Sequence, residues 1–306
     1  MSLLRVEHVT EYAYANRVEL AGHLLHLRPR SLPWQDVRQF QLRADPEPDR
    51  VQWGTDHFGN PVAWLFLDRA HDSLRVSTEA VVRVKPREPP VAQHTPAWEM
   101  IARMARQPAS IREVAEFSFG SERAPATTRP DNPARAYTVP SFPPDRPVLE
   151  GLVDLMERIG RDFRFDASVT TVSTPVERVL ELQAGVCQDF AHLMIAGLRA
   201  LGLPARYVSG YLRTLPPPGR AKLRGADASH AWVSAWLGPE FGWIDLDPTN
   251  NVIVSDGHVW LGWGRDFADV SPMQGILLGG GRHTLHVAVD IEPEDEAVPA
   301  QGTAFG

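Results

Sequence analysis

Cysteine is almost missing from this chain: among 306 residues there is one, Cys187. A single thiol excludes an internal disulfide framework and a zinc site built from several thiolates, and it suits a reducing cytoplasm. Long apolar runs are missing too, none approaching the roughly 18 uncharged residues of a membrane-spanning helix. The opening 1-MSLLRVEHVTEYAYANRVEL has no basic segment leading into an apolar one, so no signal peptide is expected. Basic residues are in deficit: 31 Lys and Arg against 38 Asp and Glu leave a net charge of −7, which argues against a nucleic-acid footprint. No acidic loop of the EF-hand pattern occurs, so calcium is not suggested. The expectation is a cytoplasmic globular protein with neither a nucleic-acid nor a membrane partner. Its oligomeric state is not legible in the sequence.

What is present divides into four stretches. Residues 1–88 read as an antiparallel β-domain of short strands, with β-rich 62-VAWLFLD-68 and alternating 73-SLRVSTEAVVRVKP-86 separated by turn signals such as 59-GNP-61. Residues 89–147 read as a connector. A short helix is expected at 98-WEMIARMARQ-107, and 124-APATTRPDNPARAYTVPSFPPDRP-147 reads as loop because prolines recur too often for a helix or ladder. Residues 148–293 read as the core, opening with the helical spacing of Leu149, Leu152, Leu155, Met156 and Ile159. A second helix is expected with Thr174 as N-cap and Pro175 at its first position. A third starts at about Val186 and is ended by Gly202 and Pro204. Strands are expected at 205–213, 230–237, 243–247 and 284–293, and residues 294–306 read as a flexible tail.

Cys187 sits in the first turn of the third helix, where unpaired N–H groups and the helix dipole favour negative charge. A free thiol titrates near ~8.5 and can fall to ~3.5–7.5 beside a helix N-terminus and a histidine cation. The alternative reading of a lone cysteine is buried apolar filler. A nucleophile needs a base, and the base needs an orienting group. His192 is close in sequence, but at about 100° per residue it points roughly 140° away from Cys187, so packing or capping is its expected role. His230 opens the strand 227-DASHAWVSAWL-237, which turns back into 243-WIDLDPTNN-251.

Hairpin register selects the carboxylate. If Leu237 pairs with Gly242 across a four-residue turn, Trp232 lies opposite Asp247. Asp247 then becomes the diagonal neighbour of His230 on the same face, about 7–8 Å away between backbones. Asp245 would lie opposite Ser234, too far off. A five-residue turn would send Asp247 to the other face, because one step of register flips every side chain. Asp227 is the second choice of orienter and reads as a loop residue.

Other residues carry structural readings. Trp232, Trp236 and Trp243 cluster on the hairpin, for sheet packing or for an acyl groove. Asp189 faces away from Cys187 and suits a structural hydrogen bond. Arg265, Asp266 and Asp269 suit tying the C-terminal segment to the core. His23 and His26, and His283 and His286, read as strand or surface residues rather than metal ligands.

Three ordered blocks around Cys, His and Asp, 185-GVCQDFAHLMIAGLRALGLPARYVSGYL-212, 227-DASHAWVSAWL-237 and 242-GWIDLDPTN-250, resemble the signature blocks of the bacterial transglutaminase-like proteins. The later 265-RDFADVSPMQG-275 and the N-terminal 25-LHLRPRS-31 and 57-HFGNPV-62 are similar to further parts of that family. The resemblance implies an α+β fold: a papain-like (transglutaminase core) cysteine-hydrolase domain behind an N-terminal antiparallel β-domain. It also implies a Cys-His-Asp triad, which by position is Cys187, His230 and Asp247, the residues that the helix and hairpin arguments select. The implied activity is acyl transfer on a peptide or protein amide through a thioester, by hydrolysis or, alternatively, by transamidation, with no metal and no organic cofactor. A non-catalytic binding module on the same fold is the reading from a different class. The upstream indole donor that eukaryotic transglutaminases use for the oxyanion has no counterpart, since no tryptophan lies between Trp98 and Cys187.

Overall fold

The structure, a computed structural model, describes residues 1–107, 112–214 and 229–294. Asp227 and the expected tail beyond 294 lie outside the described residues. The chain opens with five strands, β1 (Ser2–Leu25), β2 (Gln35–Asp45), β3 (Arg50–Thr55), β4 (Pro61–Leu67) and β5 (His71–Val84). Helices α1 (Trp98–Ala105), α2 (Arg112–Ala115), α3 (Pro133–Thr138) and α4 (Val148–Asp162) follow, then β6 (Arg164–Phe165), α5 (Val176–Leu182), β7 (Ala184–Gly185) and α6 (Cys187–Ala200). The remainder is β8 (Ala205–Leu212), β9 (Ser229–Trp236), β10 (Trp243–Asp247), β11 (Val252–Ile253), β12 (His258–Gly264), β13 (Met273–Gly279) and β14 (His283–Pro293).

The first sheet is organised by β1. Instead of several short strands, residues 2–25 form one strand of 24 residues. It pairs with β5 and β14 along its first half and with β4 and β13 along its second. Between Ala13 and Val18 its register with β5 shifts, an irregularity that sharpens twist and lets one strand serve two sets of partners. Alternation places Leu4, Val6, His8 and Thr10 inward. The strand expected at 284–293 is present but belongs here. β13 and β14 return to β1, so the end of the stretch read as core supplies strands to the first sheet. Alternating patterns look the same in either sheet, and partner choice is a long-range event.

The second sheet is antiparallel in the order β11-β10-β9-β8-β12. One face packs on α6, which is buried from Gln188 to Ala200. Leu193, Met194 and Leu198 meet Tyr207, Val233 and Ala235 in one cluster with α4. The opposite face packs on the first sheet, where Leu4, Val6 and Val82 meet Val208, Trp232 and Trp260. His8 crosses this junction by accepting the Tyr211 hydroxyl at Nδ1 (3.0 Å) while its Nε2 bonds the Thr10 hydroxyl (2.8 Å).

The proline-rich stretch 124–147 is not all loop. Asn132 caps α3 by accepting the Arg135 N–H at 2.7 Å, and Pro133 occupies the first helical position, where its missing N–H does no harm. The second core helix starts one residue later than expected. Pro175 is its N-cap, and the Thr174 hydroxyl accepts the Thr171 N–H instead. α3 lies against α6 at Gly197, where an added Cβ would stand 1.9 Å from Thr138 Oγ1. Gly197→Ala should therefore destabilise the fold by about 1–3 kcal/mol, read as a lower urea midpoint at unchanged slope. An unchanged midpoint would show that α3 can shift at no cost.

Candidate active site

α6 begins at Cys187 for local reasons. Val186 is extended at φ −118°, ψ 178°, and Asp189 folds back so that its Oδ2 accepts the Val186 N–H at 2.8 Å and the Thr170 hydroxyl at 2.7 Å. Gly185 leaves room for this carboxylate, since a Cβ there would stand 2.7 Å from Asp189 Oδ2. β7 pairs with β6 just before the helix and fixes the approach of the chain. The half-buried thiol is thus held at the tip of a rigid helix. Burial raises the Asp189 carboxyl above the usual range, against the two hydrogen bonds that lower it.

The hairpin has the expected register. Leu237 N–H donates to Gly242 O at 2.8 Å, and Trp236, Ala235, Ser234 and Val233 pair with Trp243, Ile244, Asp245 and Leu246. Continued by one step, this sets Trp232 opposite Asp247 and puts Asp247 on the face of His230. His230 Nε2 and Asp247 Oδ2 are 2.7 Å apart. Cys187 lies near enough to the same imidazole to raise its proton affinity. An ionised carboxylate can only accept, so the proton of the bond to Asp247 sits on His230 Nε2, which leaves Nδ1 as the ring nitrogen free for proton transfer. The three residues named from sequence are brought together.

Asp247 is buried and receives more donors than sequence reasoning anticipated. Its Oδ1 accepts the backbone N–H of Thr249 at 3.0 Å and of Asn250 at 3.2 Å. Its Oδ2 accepts Asn250 Nδ2 at 2.7 Å and, besides His230, a second imidazole, His258 Nε2, at 3.2 Å. Burial opposes charge on both members of the His230–Asp247 pair, and in both it is outweighed. Hydrogen bonds to Asp247 and Cys187, with their charges, raise His230 above the ordinary imidazole value. Hydrogen bonds from His230, His258 and Asn250, with the His230 charge, hold Asp247 well below the usual carboxylate range. Both shifts favour the charged forms of the pair.

One ligand atom from each of His230, Asp247 and His258 lies within 4.8 Å of the others, a set that could hold a divalent ion. These atoms already satisfy one another, so the cluster needs no metal to be complete. Asn250 could have been suspected from its place in the turn after Asp247. His258 gives no local signal.

Other expectations resolve toward structure. His192 Nε2 accepts the Phe267 N–H at 3.2 Å and its ring packs on Tyr207. Trp232 and Trp236 are buried in packing, not lining a groove, and Trp243 stacks on the Arg206 guanidinium at 4.2 Å. Arg265 pairs with Asp269, and Asp266 accepts the N–H groups of Ala268 and Arg123. His23 is a buried residue of strand β1 and His283 and His286 are exposed residues of β14, as expected, whereas His26 is buried outside a strand and bonds Asp56 at 3.3 Å. The side chain of Gln188, beside Cys187, donates to Val172 O and is committed elsewhere.

Comparison with known proteins agrees with this architecture. Residues 4–83 match the bacterial transglutaminase-like N-terminal region, and residues 138–248 match the transglutaminase-like superfamily. An uncharacterised protein of Mycobacterium tuberculosis is 40% identical over 304 residues, covering 97% of this chain and 95% of the relative. A protein-glutamine gamma-glutamyltransferase of Pseudomonas aeruginosa is 41% identical over 75 residues, 24% of this chain and 11% of that protein. Among solved structures, a candidate cysteine protease of Cytophaga hutchinsonii superposes with a TM-score of 0.72 at 20% identity, covering 97% of this chain and 93% of that one, which establishes a common fold. Among the described residues no helix is long and apolar enough to cross a membrane.

Proposed function

The chain belongs to the transglutaminase-like superfamily, and on that footing we propose that it is a cysteine-dependent acyl-transfer enzyme that hydrolyses an amide or peptide bond. The observation that carries this reading is the 2.7 Å bond from His230 Nε2 to the buried Asp247, on an imidazole that also feels the helix-tip sulfur of Cys187. The Cys187 thiolate attacks the acyl carbon, and the carbonyl electrons move to oxygen. The Cys187 N–H, free of an intrahelical partner at the helix start, donates to that oxyanion. His230 Nδ1 gives its proton to the leaving amine as the carbon–nitrogen bond breaks. A water then loses its proton to His230, attacks the thioester, and releases a carboxylic acid and the thiolate. Asp247 holds the imidazole tautomer and balances its charge through both halves. The chemistry calls on no metal and no organic cofactor, and it runs best in the reducing cytoplasm, where we place the protein and where fractionation of the producing cell would find it.

The test is Cys187→Ala assayed on p-nitrophenyl acetate, whose hydrolysis should fall to the buffer rate while the urea midpoint is kept. A variant that hydrolyses the ester as fast as wild type would leave a binding module as the better reading. The stretch shared with the glutamyltransferase favours transamidation as the second reading. A glutaminyl peptide offered with a fluorescent primary amine separates the two, because incorporation of the amine requires transfer and release of free acid alone requires hydrolysis.

A further inference from the structure

We infer that His258 is a positioning residue of this site: it donates from Nε2 to the same Asp247 oxygen that holds His230, and so fixes the carboxylate in line with the base. The inference rests on the reading of Cys187, His230 and Asp247 as an acyl-transfer triad.

The geometry has three parts. First, His230 Nε2 and His258 Nε2 reach Asp247 Oδ2 at 2.7 and 3.2 Å. The shorter bond makes His230 the principal partner and His258 the support. Oδ2 is the oxygen that must stay aimed at His230, while backbone N–H groups hold only Oδ1. The remaining donor to Oδ2 is Asn250, a solvent-exposed residue. His258 is the buried donor.

Second, the ring of His258 is itself held. Trp232 meets it edge-on at 5.3 Å and 77°, and Trp232 is anchored in turn by donating its indole N–H to Asp245 at 3.3 Å. That contact exists because β8 has no side chain at Gly210, where a Cβ would stand 2.4 Å from the Trp232 ring. Trp232 therefore lies across β8 and links β9 to β12.

Third, nothing else in the described surroundings competes for His258. The charged or titratable groups against it are His230, with ring centroids 6.1 Å apart, and Asp247 itself. The Asp256 carboxylate, two residues earlier, is turned to the Ser2 hydroxyl at 2.8 Å.

The consequence is specific. Without the His258 donor, Oδ2 keeps only His230 and the Asn250 amide, and the carboxylate plane is restrained mainly by the two backbone N–H groups on Oδ1, so the base is held in line less often. Outer partners that orient a reacting group are typically worth about 10–100-fold. His258→Asn and His258→Gln form the test pair. Both are polar, but only Gln carries an N–H far enough from the backbone to reach Asp247. With p-nitrophenyl acetate as probe, His258→Asn should lose about 10–100-fold in kcat at nearly constant KM. His258→Gln should recover most of that loss. Equal behaviour of the two variants, or an Asn variant with wild-type kcat, overturns the inference. If Cys187→Ala hydrolyses the ester as fast as wild type, it is the triad reading that fails. Thermal unfolding of each variant separates lost activity from lost fold.

Discussion

Asp247→Asn will lower turnover of p-nitrophenyl acetate by about three to four orders of magnitude and will destabilise the protein as well, although the two side chains have the same shape. The reason is the direction of the hydrogen bonds around this carboxylate. Thr249 and Asn250 donate backbone N–H groups to one oxygen, and His230, His258 and the Asn250 amide donate to the other. An asparagine must place its own NH2 at one of these two positions. If it faces the backbone donors, two buried N–H groups lose their acceptor. If it faces the imidazoles, His230 must move its proton from Nε2 to Nδ1 and then has nothing to receive the thiol proton.

Either arrangement also removes the negative charge that keeps His230 protonated. Breaking a buried pair by neutralising one partner typically costs about 3–5 kcal/mol, read as a lower urea midpoint. The kinetic loss should fall on kcat rather than KM, because the charge acts on the base and not on the bound substrate. A variant within tenfold of wild type at an unchanged midpoint would remove Asp247 from the proposed mechanism. The sign of the pH dependence follows from the same pair. His230 is raised in the folded protein, so its contribution is complete below the unfolded value of about 6.5 and is lost as pH rises through the folded value. Asp247 is depressed, so its contribution is complete above the usual carboxylate range and is lost only in acid.

The convergence of Cys187, His230 and Asp247 was legible because the place of each depends on local rules. A helix start needs an extended residue and a capping carboxylate, and 186-VCQD-189 supplies both. The hairpin register follows from turn length, and Gly238 and Gly242 adopt the positive φ that closes a four-residue turn, at 104° and 68°. Asp247 is then assigned by counting. His258 obeys no such rule. β12 joins the sheet beyond β8, on the far side of β9 from β10, and only the twist of the sheet and the Trp232 bridge bring its first residue to Asp247. The return of β13 and β14 to β1 is illegible for the same reason. Helix α3 was hidden by prolines that stand at its boundary, where they are tolerated, and not in its interior.

Mild acid should unfold this protein well before its carboxylates are neutralised. Three buried histidines are neutral in the folded state. Burial lowers His8 to about 4, lowers His23 to about 4 with help from neighbouring His71, and lowers His192 to about 4 despite the favourable charge of Asp266. Each is a base whose folded value lies below its unfolded value, so the unfolded chain takes up the proton first. Stability is therefore complete above pH about 6.5 and is lost as pH falls toward 4. Each proton costs on the order of 3 kcal/mol, and three of them rival the whole stability of an ordinary domain, about 5–15 kcal/mol. The bonds at stake explain where the fold would yield. His192 Nε2 accepts the Phe267 N–H, and a protonated ring cannot. His8 Nδ1 accepts the Tyr211 hydroxyl across the junction of the two sheets. Charging His8 therefore strikes the contact between the N-terminal sheet and the sheet that carries His230. Urea unfolding followed by tryptophan fluorescence should show a midpoint that falls steeply between pH 6.5 and 4.5. His192→Gln, whose amide oxygen can still accept from Phe267, should flatten that fall by the share of one proton. A wild-type midpoint that stays level down to pH 4.5 would mean that these rings are hydrated or already charged in the folded protein.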